Sequence, residues 1–182
     1  MKTPEPEDRS VAERVLKWVM CCQRRLSIEM LVKAVSLDSN SVVDEEVDTD
    51  YILYICSNFI IVDHNKLVHF AHLSVQEYLM NGAKHGYSTV DAHNQTAMDS
   101  LLYLLAGNFK NGTDTGKKDE LLELTALYWP FHYSFALVNE GKGTPLQALL
   151  KKFLVAGEIR NGFTTRFENL TSCFAELAPS RG

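Results

Sequence analysis

The sequence predicts a mainly α protein: a winged-helix domain of three to four helices plus a β-hairpin, followed by an α-helical bundle. Three observations carry that expectation. Apolar residues recur at helical spacing through most of the chain, strand-type patterning is confined to residues 59–70, and that stretch follows three helical segments and precedes a fourth. The 182 residues carry a net charge of −5 and are 46% hydrophobic. Such a chain is long enough for one compact domain or two small ones, each with a real core. The patterning divides it into a linker at 1–9, the winged helix at 10–85, a helical domain at 86–160 and a tail at 161–182. A last helix is expected in that tail over 164–177.

The first helix is expected over Val11–Cys22. Ser10 and Glu13 have capping-box spacing, and Val11, Val15, Leu16, Val19 and Met20 share a face. Gln23-Arg24-Arg25 interrupts the pattern. Ser27 is placed to cap a second helix reaching Val35, with Leu26 and Leu31 as a hydrophobic staple. An acidic loop with Asp38, Asp44, Glu45, Glu46 and Asp48 follows, and Thr49 is placed to cap a third helix over 50–57. The hairpin is Phe59–Val62 and Leu67–Phe70 about the turn Asp63-His64-Asn65-Lys66. Leu73–Met80 is the fourth helix, stopped by Asn81-Gly82.

Beyond the hairpin, strand signals are absent. Ser88 is placed to cap a helix over 90–106 with Met98, Leu101, Leu102 and Leu105 as its apolar face. A Gly-rich polar loop spans 107–116, and a helix is expected over 118–128. Pro130 suits the first turn of another helix, to about Val138. Thr144-Pro145 repeats that start signal for a helix to Leu154.

Several function classes are disfavoured. Met1–Ser10 lacks the apolar core of a secretory signal, and no run approaches the roughly 18 apolar residues of a membrane span. The expected location is therefore cytoplasmic, with the sequons at Asn94, Asn111 and Asn169 unmodified. Cys21, Cys22, Cys56 and Cys173 form no CxxC pair, so they read as reduced thiols rather than disulfides or zinc ligands. His69-x-x-His72 lacks a third ligand at metal-binding spacing, and no metal site is expected. Gly112–Lys118 imitates a phosphate loop but has three residues between its glycines, lacks the Ser/Thr after lysine and follows no strand. No nucleophile elbow, zincin motif or catalytic Cys/His context occurs, so no enzyme and no catalytic residues are expected.

The stretch His69-Phe70-Ala71-His72-Leu73-Ser74-Val75-Gln76-Glu77-Tyr78-Leu79 resembles the F-x-H-x-S-x-Q/K-E-F/Y segment of winged-helix domains that follow NACHT nucleotide-binding modules. Arg25-Leu26-Ser27 and the acidic loop agree with it. Tyr128-Trp129-Pro130-Phe131-His132 is similar to the Y-W-P-x-H segment of the helical region that follows in fungal-type NACHT proteins, which are NLR-like STAND switches often followed by ankyrin repeats. The resemblance covers about residues 10–155. It implies a non-catalytic regulatory segment that holds a resting ADP state and relays to a downstream repeat or sensor region. Signalling of innate-immunity type goes with that family.

Within the resemblance, His72 would contact the β-phosphate of ADP, but only in the intact multidomain protein. An imidazole N–H can donate to a phosphate oxygen, and protonation adds charge. ADP or ATP would belong to the larger assembly, with no cofactor in the isolated chain. The partners would be a NACHT module and ankyrin-type repeats, in the same or another chain. The plain reading of His72 is a residue that caps the helix or packs; Ser74 would cap from the first turn while Val75, Tyr78 and Leu79 pack inward. His69 stands where that family commonly has Arg and receives no role.

Two rival functions follow from the residues. One is a free-standing protein-interaction adaptor. The other is a DNA-binding winged-helix regulator, disfavoured because the third helix lacks Lys and Arg, the acidic loop precedes it and the wing offers only Lys66. The aromatic run 129–133 is expected to pack between helices, with docking of a neighbouring domain as its functional alternative.

Overall fold

The computed structural model describes residues 6–36, 47–81, 87–106, 119–136 and 143–159. The elements are α1 (Pro6–Cys21), α2 (Ile28–Val35), α3 (Thr49–Ile55), β1 (Ile60–Val62), β2 (Val68–Phe70), α4 (Leu73–Asn81), α5 (Thr89–Ala106), α6 (Glu120–Ala136) and α7 (Pro145–Ile159). This is a mainly helical fold in which a winged-helix order is followed by three further helices. The acidic residues 38–46, the loop at 107–116 with the phosphate-loop imitation, Gly82 and the helix expected at 164–177 lie outside the described residues.

Local chemistry explains where the elements begin. α1 starts at Pro6, upstream of the expected Val11, so 6–9 are helical rather than linker and Ser10 is not a cap. Proline needs no N–H partner in a first turn, Glu7 and Asp8 suit the positive end of the helix dipole, and Arg9 pairs with Glu13 one turn on at 3.0 Å. Ser27 caps α2 as expected, its hydroxyl accepting the Met30 N–H, with Leu26 and Leu31 both buried. Asp48, not Thr49, caps α3: its carboxylate accepts the Tyr51 N–H at 2.7 Å. Thr144 accepts the Gln147 N–H while Gln147 Oε1 accepts the Gly143 N–H, closing the start of α7 reciprocally.

The wing is an antiparallel pair in the register Ile60–Phe70, Ile61–His69 and Val62–Val68. Asp63 shapes its turn by accepting the N–H groups of Asn65 and Leu67 at 2.8 and 2.9 Å, and Lys66 takes a left-handed φ of 60°. A third line of pairing joins the wing to the segment before α2. Leu26 O accepts the Val68 N–H, Lys66 O accepts the Ile28 N–H, and Ser27 bridges Leu67. These bonds fix the hairpin's orientation on the helices and had no signal in the local pattern.

The winged-helix core is built on Val15, Leu16, Trp18, Leu31, Ile52 and Ile60, and it also takes in Ala92, Leu121 and Leu124 from α5 and α6. A second core joins Ala97, Leu101, Leu104, Trp129, Ala136 and Leu146 from α5, α6 and α7. Each fully buried Leu or Ile contributes about 1.5–3 kcal/mol by leaving water. Because α5 and α6 serve both cores, the two halves are packed as one body.

Two expectations for the helical half are corrected. The segments expected at 118–128 and 130–138 are one helix, α6, with Pro130 inside it. A helix-interior proline costs about 3 kcal/mol. Burial of Leu121, Leu124, Trp129, His132 and Ala136 on both sides of it outweighs that cost. On α5 the buried residues are Ala92, Ala97, Leu101 and Leu104 with polar His93, Thr96, Asp99 and Ser100, whereas Met98, Leu102 and Leu105 are only half-buried. The stripe shifted because α1 packs against α5 and satisfies Thr96 and Asp99, while His93 pairs with His132 on α6 and Ser100 donates to the Thr96 carbonyl.

Candidate functional site

The segment that joins the wing to α4 projects outward. Ile60 and Val68 turn into the core, so by strand alternation Ile61 and His69 face out. Ile61 is 49% exposed, Leu73 64% and Tyr78 63%; Tyr54 on α3 is also exposed. Tyr78 therefore does not pack inward as expected, while Leu79 does and Val75 is half-buried. His69 Nε2 lies 3.2 Å from Asp63 Oδ2. The Leu67 N–H, with lesser help from His69 and Asn65, holds the Asp63 carboxyl below its ordinary range.

His72 is exposed at the first turn of α4. Its Nδ1 accepts the Ser74 backbone N–H at 3.1 Å and lies 2.8 Å from Ser74 Oγ. The imidazole therefore caps the helix, and Ser74 supplies the donor rather than being the cap. An accepting Nδ1 leaves the proton of a neutral ring on Nε2, which makes the exposed ring a hydrogen-bond donor. The cap thus positions a donor suited to an anionic oxygen without any further change in the ring.

The opposite arrangement holds along α1 and α5. Arg14, Trp18 and Cys21 lie on one stripe of α1, at i, i+4 and i+7. Arg14 donates to Asp99 Oδ1 at 3.0 Å and to the Val35 and Ala34 carbonyls that end α2. Trp18 Nε1–H donates to Asp99 Oδ2 at 2.8 Å, and Gln95 donates to Asp99 Oδ1 at 2.9 Å. Burial raises the Asp99 carboxyl, and the Arg14 charge, Trp18 and Gln95 oppose that rise. Further along, Cys21 Sγ lies 3.0 Å from Thr96 Oγ1, and His93 Nδ1 lies 2.8 Å from His132 Nδ1 on α6. Burial pushes the Cys21 thiol up to about 12. It lowers both histidines, His132 to about 3 with a smaller contribution from His93.

Sequence reasoning missed Arg14, Trp18, Cys21, His93, Thr96 and Asp99. Their helical spacing on α1 and α5 is visible in the sequence, but nothing there says that the two stripes meet. His132 belongs to the Tyr128–His132 run and is buried with Trp129, as expected of packing residues. His93 stacks on Phe135 with ring centroids 4.8 Å apart.

α3 has no Lys or Arg, and Lys66 at the wing tip pairs with Glu29 at 3.1 Å. Among the described residues no helix is long and apolar enough to cross a membrane.

Residues 3–91, just under half the chain, match the family model for the winged helix domain of GPI inositol-deacylase. That family contains NACHT proteins, in keeping with a winged-helix region of NACHT type. The matched span holds α1–α4 and the start of α5. No curated protein and no solved structure matches the chain.

Proposed function

We propose that this chain is the regulatory segment of a NACHT-type, nucleotide-dependent switch. The match of residues 3–91 to a winged-helix family model is the observation that carries this reading. On it, the wing and α4 close over a nucleotide-binding module and stabilise its ADP state. Helices α5–α7 relay the state to a downstream sensor, of ankyrin-repeat type by the resemblance at 128–132. The segment has no chemistry of its own, and the deacylase activity in the matched family's name is not carried over. The assembly works in the cytoplasm.

His72 is the residue assigned to ADP, donating from Nε2 to a phosphate oxygen. One such contact is too little to offset the entropy of association, so the isolated chain binds ADP weakly or not at all. In the intact assembly the contact biases a two-state element, because it exists only when the wing is closed. The test is the nucleotide content of the intact protein, wild type against His72→Ala. Wild type should retain ADP through purification, and the variant should lose it by about tenfold or more, the equivalent of roughly 1.4 kcal/mol. Equal retention would remove the role given to His72.

A free-standing interaction adaptor is the second reading, favoured by the exposed Ile61, Leu73 and Tyr78. It needs no nucleotide module. Sequencing the transcript on both sides of this segment separates the two: a P-loop module beside it supports the switch.

A further inference from the structure

We infer that Cys21, His93 and His132 form a zinc site that ties the winged helix to the helical bundle. The three side chains come from α1, α5 and α6, all three are buried, and one ligand atom from each lies within 4.8 Å of the others. One thiolate and two neutral imidazoles are a donor set that Zn2+ takes with tetrahedral preference.

The geometry is close to that of a bound ion. Zn–N bonds of about 2.0–2.1 Å and Zn–S bonds of about 2.3 Å place tetrahedral N and S ligand atoms about 3.3–3.6 Å apart. The two Nδ1 atoms stand 2.8 Å apart, so they would separate by roughly half an ångström, and one ligand atom of Cys21, His93 and His132 already lies within 4.8 Å of the others. Burial holds both imidazoles neutral near pH 7, with their lone pairs available.

The proton balance is simple. Without metal, one Nδ1–H donates to the other Nδ1 across the pair. When the ion binds, that proton moves to Nε2 of its own ring, which frees both Nδ1 lone pairs. The Cys21 thiol loses its proton to solvent, and the Thr96 hydroxyl beside it can donate to the resulting thiolate. One proton is released per ion. The three ligands are 72 and 39 positions apart in sequence (93 minus 21, 132 minus 93), so no local spacing motif announces them.

The site concerns the integrity of this chain and does not rest on the nucleotide-switch reading. The test uses the full chain, purified with chelator and titrated with Co2+ and Zn2+. Wild type should bind one Co2+, with a thiolate-to-cobalt charge-transfer band that Zn2+ abolishes, and Zn2+ should raise its Tm. Cys21→Ala should lose the band, and His132→Gln should weaken binding by about 100-fold or more. Cys22→Ala, whose half-buried thiol is adjacent, should bind like wild type. Because the band is read on wild type, a variant that folds poorly does not decide the outcome. A wild-type chain that binds neither ion, or binding that survives both Cys21→Ala and His132→Gln, would overturn the site.

Discussion

Two stretches of this chain carry family-like motifs, and the structure uses them in opposite ways. At 69–79, the wing–α4 junction leaves His69, His72, Leu73, Glu77 and Tyr78 exposed. At 128–133, Trp129 and His132 are buried between helices. The first stretch presents these side chains at the surface, within reach of a partner, while its Leu79 packs into the core. The second is bound into the packing of α5, α6 and α7, and its histidine belongs to a polar line that runs along α1 and α5. The lesson is that motif residues of similar chemistry acquire different work from burial alone. An exposed imidazole is an accessible donor, whereas a buried neutral one is a structural partner or a metal ligand.

The largest effect that could break this comparison is expected at Asp99. Asp99→Ala removes the carboxylate that pairs the Arg14 guanidinium and accepts the Trp18 N–H between α1 and α5. Removing one partner of a buried pair costs about 3–5 kcal/mol. Urea unfolding should show that loss, and a change below about 1 kcal/mol would mean that the polar line does not hold the halves together.

A smaller effect is expected from acid. His132 falls from its ordinary value of 6.5 to about 3 in the folded protein. The unfolded chain therefore binds the proton more readily, and stability drops as pH falls from about 6.5 toward 3, by at most about 1.4 kcal/mol per pH unit from this residue. In chelator, the fall in urea midpoint between pH 7 and pH 5 should be shallower for His132→Gln than for wild type. Parallel curves would show that the buried pair does not resist protonation.

The smallest stability effect belongs to the exposed stretch. His72→Ala removes a cap and should cost about 1 kcal/mol. The same substitution carries the large functional effect predicted for ADP retention.

Much of the winged helix was legible because its signals are local. Ser27 with Leu26 and Leu31, the turn at Asp63 and the short apolar runs about Ile60 and Val68 each act within a few residues. Where local signals competed, the reading slipped. Ser10–Glu13 looked like a cap, but Pro6, Glu7 and Asp8 start α1 earlier, and Pro130 looked like a helix start although packing carries α6 through it. The α1–α5 polar line was illegible for a different reason. Arg14 and Asp99, or Cys21 and Thr96, meet only after the chain has folded, and a polar residue on a helix reads as solvent-facing until its partner is known. The capping role of His72 was legible from its place at the strand-to-helix junction, but Ser74, read as a further cap, is instead the donor to His72 Nδ1, because either side chain can serve that turn.

The most direct measurement is side-chain footprinting of the wing–α4 surface in the isolated chain and in the ADP-loaded intact protein. The account predicts that Tyr54, Ile61, Leu73 and Tyr78 react readily in the isolated chain and become protected in the loaded protein. Trp18 and Trp129 should be protected in both. Equal reactivity of the wing–α4 residues in the two samples would contradict the claim that this surface closes on the nucleotide module.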